Sequence, residues 1–338
     1  METIEELESV LCTPSEALVG DITKIEGDVL ILGVGGKMGP TLAKLAKNAM
    51  DQAQVQKKVI GVSRFSNETL QAELHEHGIE TIAADLLKEE ELQALPETEN
   101  VIYMAGNKFG TTGNEHFTWA MNAYLPGRVA EKFKNSRIVS FSTGNVYPQT
   151  SVGHGGASEE HAAGPVGEYG QSALGRERVF THFSHKYGTP LLHLRLNYAI
   201  DLRYGVLLEV AKAVNEGTPI DLNMGHVNVI WQGDANEAAI RSLLHCDSPP
   251  VTLNLTGPET LSVRWLAERL GEKLHRHPVF VGEEQETALL SNASRAHEIF
   301  GYPNIGIRQM LDWTADWVKG QGQMLDKPTH FQERKGQY

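Results

Sequence analysis

Three glycines stand at intervals of three residues in the loop Leu32-Gly33-Val34-Gly35-Gly36-Lys37-Met38-Gly39. Glycine is required where a backbone turns with positive φ, or where no side chain can stand between the backbone and a bound group. A loop of this kind that opens a helix presents unpaired N–H groups and the positive end of the helix dipole, which together bind phosphate. The spacing therefore predicts a dinucleotide diphosphate site at Gly33, Gly36, Lys37, Met38 and Gly39.

A second candidate binding position follows the apolar run Lys58–Val62, where the chain continues with Ser63 and Arg64. Proteins that bind NAD usually carry Asp or Glu here, which hydrogen-bonds the ribose 2′-hydroxyl. Arginine instead suits a 2′-phosphate, with which it forms charge-assisted hydrogen bonds. Ser63 and Arg64 therefore favour NADP over NAD, although an arginine stacked on the adenine would fit either cofactor.

Hydroxyl groups that suit acid–base chemistry occur in two later motifs. Thr143-Gly144-Asn145-Val146-Tyr147 ends an apolar run, and Tyr169 lies 26 residues after Thr143, followed by Gly170, Ser172, Leu174 and Glu177. These motifs resemble the extended short-chain dehydrogenase/reductases, the NAD-dependent epimerase/dehydratase family, over roughly residues 28 to 318. The resemblance implies hydride transfer between a nicotinamide and a hydroxyl-bearing carbon of a sugar, sugar acid or sugar nucleotide, with Thr143 and Tyr169 at the reacting oxygen.

The resemblance also assigns residues whose types alone would not reveal a role. It implies a homodimer formed through the helices at 115–134 and 172–187. The cofactor residues that it adds are Asp85, Leu86, Ala105, Gly106, Lys108 and Asn122, and its substrate residues are Asn145, Asn197 and His226.

One position departs from the family pattern. The family's lysine, four residues after the tyrosine, falls on Ala173. Without a nearby cation a tyrosine keeps a pKa of about 10 and is a poor base at neutral pH. Three alternatives remain open: Lys108 or Arg176 replaces the lysine, a His, Asp or Glu moves the proton, or the protein binds cofactor as a sensor or scaffold without turning it over.

The substrate side also departs from enzymes that act on sugar nucleotides. The stretch 198–205 is short, and the segment 223–229, which includes His226, lacks the arginine that grips a phosphate in such enzymes. Loss of a bidentate phosphate donor favours a smaller sugar, sugar acid or keto-sugar. Arg195 and Arg203 remain candidates for a carboxylate or phosphate, and a structural ion pair is the other reading of Arg195.

Strands that alternate with helices must position these groups. Short apolar runs of this kind predict buried parallel strands with helices on both faces, hence a doubly wound Rossmann α/β fold with a smaller C-terminal α/β substrate lobe. We expect a lead segment over 1–27, with a helix at Ile4–Leu11, a dinucleotide-binding domain over 28–200, a substrate lobe mainly over 201–320, and a polar tail over 321–338 that is either a mobile or a docking segment. The predicted strands are Asp28–Leu32, Lys58–Val62, Thr81–Ala84, Asn100–Met104, Arg137–Phe141 and Pro190–Leu196.

Composition narrows the class of partner. The formal net charge of −13 disfavours nucleic acid, because an acidic surface repels phosphate backbones. The two cysteines, Cys12 and Cys246, are too few for a disulfide framework or a cysteine-rich zinc site, and no metal site is expected. The acidic N-terminus and the lack of an apolar run of about 18 residues predict no signal peptide and no membrane helix, hence a cytoplasmic protein.

Overall fold

The computed structural model of the protein describes residues 1–66, 68–325 and 327–337. Its centre is a sheet of seven parallel strands in the order β7-β6-β5-β4-β1-β2-β3. The chain therefore starts in the middle of the sheet and winds outward in both directions, which is the doubly wound arrangement that the alternation predicts. The strands are β1 Val29–Leu32, β2 Val59–Ser63, β3 Glu80–Ala83, β4 Asn100–Tyr103, β5 Arg137–Thr143, β6 Leu191–Leu196 and β7 Val251–Leu255.

All six predicted apolar runs form strands of this sheet. The seventh strand, β7, lies beyond residue 200 and pairs with β6, so the chain returns from the C-terminal part to complete the sheet. The predicted boundary at residue 200, between the dinucleotide-binding domain and the substrate lobe, therefore does not hold for this strand. Its inner residues, such as Leu253 and Leu255, are buried in the same apolar core as β1 and β5.

Helices cover both faces of the sheet and form most of the smaller lobe. The predicted helix at 115–134 is interrupted by a π turn at Ala120–Tyr124, since Pro126 has no N–H to donate to the carbonyl of Asn122. The helix predicted from Ser172 begins earlier, so that Tyr169 lies in its first turn. The helices are α1 Ile4–Cys12, α2 Glu16–Ile22, α3 Gly39–Gln52, α4 Glu68–Glu76, α5 Glu89–Gln93, α6 Glu115–Trp119, α7 Leu125–Lys132, α8 Gly167–Tyr187, α9 Val206–Glu216, α10 Gln232–Arg241, α11 Val263–Leu274, α12 Ser294–Phe300 and α13 Ile307–Lys319.

The smaller lobe has its own apolar core, built mainly from α9, α11 and α13. The first helix, α1, adds Leu7 and Leu11 to this core and also contacts α3 of the nucleotide-binding part, so the lead segment ties the two parts together. Short strands complete the lobe and its border: Thr150–Ser151, Ala199–Ile200, Ile220–Asp221, His226–Val227, Ile230–Trp231, Leu261–Ser262, Phe280–Val281 and Thr287–Ala288. None of the helices in the described part of the chain is both long and apolar enough to cross a bilayer.

A buried ion pair joins α8 to the sheet directly beneath the predicted catalytic motifs. Arg195 of β6 binds both carboxylate oxygens of Glu177, at 2.9 and 2.7 Å, and its Nη1 donates to the Tyr147 hydroxyl at 2.6 Å. Ser142 adds a further hydrogen bond to Glu177. Arg195 is thus a structural residue, as one of its two readings predicted. Arg203, the other candidate, pairs with Asp201.

We expect Glu177→Gln to lower the free energy of unfolding by about 3 kcal/mol, because it leaves the buried guanidinium of Arg195 without its counter-charge. Denaturant unfolding followed by circular dichroism measures this change. Glu272→Gln is the matched control, since Glu272 pairs with Arg269 at the exposed surface of α11 and its loss should leave the unfolding free energy nearly unchanged. Equal effects of the two substitutions would show that the buried pair does not stabilise the fold.

Candidate active site

A cavity of about 260 Å³ opens where the carboxyl ends of β1, β4, β5 and β6 face the smaller lobe. This edge is where doubly wound folds bind their ligands. The cavity brings together eight residues that the sequence analysis selected: Lys37, Met38, Gly106, Lys108, Thr143, Asn145, Tyr169 and Asn197.

The glycine loop reaches the cavity through Lys37 and Met38, whereas the predicted cofactor residues Gly33, Gly36 and Gly39 lie outside the cavity lining. The glycines of the loop are required for different reasons. Gly33 has φ +93°, and a Cβ there would lie 2.7 Å from the amide nitrogen of Ala105. Gly39, the first residue of α3, does not have positive φ; a Cβ would lie 2.7 Å from Val34 Cα, so close packing requires glycine instead. Gly35 and Gly36 are exposed between them. These exposed glycines leave the backbone accessible just before the N-terminus of α3. Backbone N–H groups in such a position can bind a dinucleotide diphosphate.

Thr143 and Tyr169 meet inside the cavity. Thr143 ends β5 and is buried, Tyr169 lies in the first turn of α8, and both side chains line the cavity, where the Thr143 hydroxyl also bonds to Asn145 Oδ1 at 3.1 Å. Burial raises the pKa of Tyr169 above its ordinary value of 10, while the positive charge of Arg176 and the nearby Thr143 hydroxyl oppose that rise. The phenol is therefore protonated at neutral pH in the free protein and can donate a hydrogen bond to an oxygen in the cavity.

Arg176 is a cation behind this phenol. Residues 169, 173 and 176 follow the i, i+4, i+7 spacing of one helix face, so Arg176 shares the face of Tyr169 one turn beyond Ala173. Its Nη1 donates to the carbonyl of Phe141 at 2.7 Å and its Nη2 to Asn122 Oδ1 at 2.8 Å, while its Nε is buried and has no hydrogen-bond partner among the residues that the structure describes. Lys108, the other candidate, lies with its Nζ 5.8 Å from the centroid of the Tyr169 ring.

Asn122 holds Arg176 and the loop after β4 in place. Its Nδ2 donates to the Asn107 carbonyl at 2.8 Å and to Ser172 Oγ at 3.0 Å, and its Oδ1 accepts from the Asn107 amide at 2.8 Å. Gly106 is required here, because a Cβ would collide with Arg176 Nη2. Asn122 itself lies behind the cavity wall and supports residues that line it.

Ala173 takes no part in the cavity. Its side chain is 1% exposed and packs in a small apolar cluster with Val146, Tyr147 and Ala157. A lysine at this position would have to displace that cluster or turn away from it. The surroundings of Ala173 are therefore consistent with the loss of the family's lysine.

Two lysines line the cavity, Lys37 from the glycine loop and Lys108 from the loop after β4. Burial lowers the pKa of Lys37 to about 7; Asp201 raises it, and the positive charges of Lys108 and Arg203 lower it further. Lys37 Nζ donates to the Ala199 carbonyl at 3.0 Å and lies 3.6 Å from the centroid of the Tyr204 ring. Burial lowers the pKa of Lys108 to about 8, although the negative charge of Glu209 acts in the opposite direction and raises it. These ammonium groups are the candidates for a diphosphate beside the glycine loop.

Other predicted residues lie outside this cavity lining. Ser63 Oγ stands over the loop near Gly35, and Arg64 beside it is exposed. Asp85 accepts from the amide of Leu87 in its own turn, Leu86 is buried, and Ala105 lies against Gly33. The structure does not bring His226 to the cavity: it pairs in a short strand with Ser262.

The cavity also contains residues that sequence reasoning missed. Tyr198 and Tyr204 come from the short stretch after β6, and Thr329 comes from the polar tail. No spacing or motif marks them, because each reaches the cavity only through the packing of distant segments. Arg176 was found only as an alternative, from its position on the helix face.

Comparison with known families agrees with this geometry. The model of the NAD dependent epimerase/dehydratase family matches residues 29–203, which is more than half of the 338-residue chain. The chain belongs to this family, and it is an enzyme of the nicotinamide-dependent epimerase/dehydratase kind. No curated protein matches the chain.

Solved structures share the fold at low sequence identity. MoeE5 in complex with UDP-glucose and NAD has a TM-score of 0.70 at 18% identity, covering 87% of this chain and 99% of that one. UDP-glucuronic acid 4-epimerase from Bacillus cereus, in complex with NAD, has a TM-score of 0.70 at 17% identity, with coverage of 87% and 99%. The UDP-glucose 4-epimerase of Thermus thermophilus, in complex with NAD, has a TM-score of 0.69 at 17% identity, with the same coverage.

We expect the affinity for NAD or NADP to fall as the pH rises from 7 to 9. The lowered pKa values of Lys37 and Lys108 mean that both ammonium groups lose protons in this range in the free protein, whereas a bound diphosphate holds the protons on. Binding then takes up protons, and affinity falls by up to about tenfold per pH unit for each proton taken up.

Equilibrium titrations across this pH range measure the effect. Lys37→Met should weaken binding at pH 7 and flatten the pH dependence. Lys47→Met is the control, because Lys47 lies on α3 but pairs with Asp51 away from the cavity. A pH-independent affinity in the wild-type protein would rule out a diphosphate at these lysines.

Proposed function

We propose that the protein catalyses NAD(P)-dependent oxidation, reduction or epimerisation at a hydroxyl-bearing carbon of a sugar-like substrate. The observation that carries the proposal is that the hydroxyl-bearing side chains of Thr143 and Tyr169 line one cavity together with the guanidinium of Arg176. The bound cofactor would supply a hydride acceptor or donor at this pair.

The protein's own residues move the proton. Tyr169 takes the proton of the substrate hydroxyl when that carbon is oxidised, and returns it when the carbonyl is reduced. Thr143 shares the same oxygen by hydrogen bonding. Arg176 stabilises the phenolate of Tyr169 by its permanent positive charge, which is the electrostatic role that the family's lysine plays elsewhere. Arg176 is thus a positioning residue that acts through Tyr169.

The relatives support a sugar as substrate. MoeE5 was solved with UDP-glucose, and the enzymes of Bacillus cereus and Thermus thermophilus are 4-epimerases of UDP-sugars. A 4-epimerase inverts one hydroxyl-bearing carbon, which requires the same proton and hydride transfers in both directions. Epimerisation by transient oxidation is therefore the form of the reaction that these relatives favour.

A second candidate function is cofactor binding without turnover, as a sensor or scaffold. The burial of Ala173 in an apolar cluster favours it, since no lysine ammonium reaches the cavity from that position. The retained pair of Thr143 and Tyr169 favours catalysis. The two functions differ in whether any sugar changes the redox state of bound cofactor.

We expect Tyr169→Phe to lower the rate of cofactor reduction about 100-fold or more while leaving cofactor affinity nearly unchanged, because only the proton acceptor is lost. Arg176→Met should raise the pH at which oxidation becomes half-maximal by about one unit or more, because it removes the charge that lowers the pKa of Tyr169. Stopped-flow absorbance of the reduced cofactor, with a panel of sugars and sugar acids, measures both.

Arg176→Lys is the matched variant, since it keeps the charge and should restore much of the pH profile. A purely structural role for Arg176 would lower activity equally at every pH. If wild-type protein binds cofactor but no sugar reduces it, the sensor or scaffold function is correct instead.

The preference for NADP also stays a proposal. Arg64 is exposed at the end of β2 and has no ion pair within the described ranges of the chain, so its guanidinium is available to a 2′-phosphate. Ser63 beside it replaces the acidic residue that would repel that phosphate. The complexes of the relatives contain NAD, so the choice between the cofactors depends on titrating this protein with both NAD and NADP.

We expect Arg64→Met to weaken NADP binding by about 10- to 100-fold and to leave NAD binding nearly unchanged, because it removes a charge-assisted contact to the 2′-phosphate alone. Calorimetric titrations with each cofactor measure the change. Arg178→Met, which removes the same charge from an exposed position on α8, should change neither affinity. Equal weakening of NAD and NADP by Arg64→Met would place the arginine on the adenine instead.

The homodimer likewise remains a proposal. Exposed aromatic side chains support it, because Trp119, Tyr124 and Tyr187 are 38%, 61% and 37% exposed on the elements where the family's dimer forms. Aromatic residues are enriched in such interfaces.

A further inference from the structure

The last residues of the chain pack onto the protein body at the mouth of the cavity. We call residues 327–337 the C-terminal segment. The polar composition of the tail predicts a mobile or docking segment here. In the structure the segment docks: Phe331 is 1% exposed in the apolar core of the smaller lobe, and Thr329 is 1% exposed and lines the cavity.

Thr329 is held from both sides of the cleft. Its amide and its hydroxyl both donate to the carboxylate of Glu209 on α9, the hydroxyl at 2.7 Å. Its carbonyl accepts from Lys108 Nζ at 3.4 Å, and Lys108 belongs to the loop after β4. The segment therefore bridges the smaller lobe and the nucleotide-binding part across the opening of the cavity.

Further contacts fix the rest of the segment. The guanidinium of Arg334 donates to the carbonyls of Asn223 and Thr287, both at 2.9 Å, and to Thr287 Oγ1 at 2.7 Å. Gly336 then meets the first residue of α8, since a Cβ on Gly167 would lie 2.7 Å from Gly336 Cα. The segment thus runs from α9 to the helix that carries Tyr169.

A second space lies on the other side of the segment. This outer groove, of about 400 Å³, is lined by residues of α9 and by Lys327 and Pro328. Tyr204 and Gly205 line both spaces, and Glu209, which anchors Thr329, faces the groove. Residues 327–329 therefore form a partition between the cavity and the outer groove.

The size of the inner space limits what can bind. Pockets that bury a drug-sized ligand are about 300–1,000 Å³. The inner cavity, at about 260 Å³, is smaller and must also accept the reactive end of the cofactor. A nucleotide diphosphate joined to the reacting sugar would have to extend past the partition, where Thr329 and Glu209 stand.

We propose that the C-terminal segment restricts the substrate to a free monosaccharide or sugar acid and excludes sugar nucleotides. The absence of arginine from residues 223–229 agrees with the exclusion of sugar nucleotides, because that segment provides no bidentate phosphate donor. The inference rests on the proposed function for the identity of the cavity as the substrate site. It sets this enzyme apart from the UDP-sugar relatives that share its fold.

The experiment measures binding of UDP-glucuronic acid and UDP by calorimetry at saturating cofactor. We expect the wild type to bind neither with a Kd below about 1 mM. Glu209→Ala, which releases Thr329 but keeps Phe331 and Arg334, should bind UDP-glucuronic acid at least about tenfold more tightly than the wild type does. A chain that ends at Leu325 should do the same. Glu216→Ala is the control, since it removes a carboxylate from the groove side of α9 without touching Thr329.

Micromolar binding of either UDP compound by the wild type would overturn the proposal. So would the absence of nucleotide binding in all forms, because the segment would then not be the barrier. If the truncated chain fails to fold by circular dichroism, Glu209→Ala decides, with D-glucuronate titrated beside UDP-glucuronic acid: tightening of UDP-glucuronic acid alone supports the barrier, whereas equal tightening of both reports the lost charge beside Lys108 and overturns it. Failure of the proposed function is seen separately, as the inability of D-glucuronate, D-glucose and other free sugars to reduce bound cofactor in the wild type, and does not alter the nucleotide-binding result.

Discussion

The buried guanidinium of Arg176 is the interaction on which the active-site arrangement depends. A guanidinium cannot lose its proton in a protein, so burying it requires hydrogen-bond acceptors. Asn122 and the Phe141 carbonyl supply them, and Gly106 leaves the space that Nη2 occupies. The π turn that carries Asn122 and the glycine after β4 thus both accommodate the guanidinium of Arg176. Its benefit is electrostatic, because it opposes the rise that burial causes in the pKa of Tyr169.

Under the proposed function, this arrangement supplies the positive charge that Ala173 cannot. A cation on the same face of α8 can act on the phenol from one turn further along, provided that its charge is held in a fixed place. Arginine suits that position because its planar group makes several directed hydrogen bonds, whereas a lysine there would be a single mobile point charge. The space freed at residue 173 is filled by the apolar cluster around Val146 and Tyr147, which supports the turn after β5.

The sequence was enough to predict those parts of the structure that depend on local residue patterns. Short apolar runs such as Asn100–Met104 predicted the sheet, and the carboxyl ends of those runs brought Lys37, Thr143 and Tyr169 to one edge, because parallel strands end on the same side. It could not place β7, since a strand that returns after a second lobe looks the same as a strand within that lobe. Nor could it place Thr329, whose neighbours Glu209 and Lys108 are distant in sequence and create no periodicity.

The charge of the molecule and the charge of its cavity have opposite signs, and this difference selects what can enter. The chain carries a formal net charge of −13, yet Lys37, Lys108 and Arg176 all face the cavity. An anion approaching the surface is repelled until it reaches this opening, where low-dielectric walls strengthen the local positive field. Burial weakens that field by lowering the pKa values of both lysines, so the cavity is poised to gain charge when an anion binds. The C-terminal segment adds to this control, because Glu209 both anchors Thr329 and favours the protonated form of Lys108, so the partition and the charge behind it depend on one carboxylate.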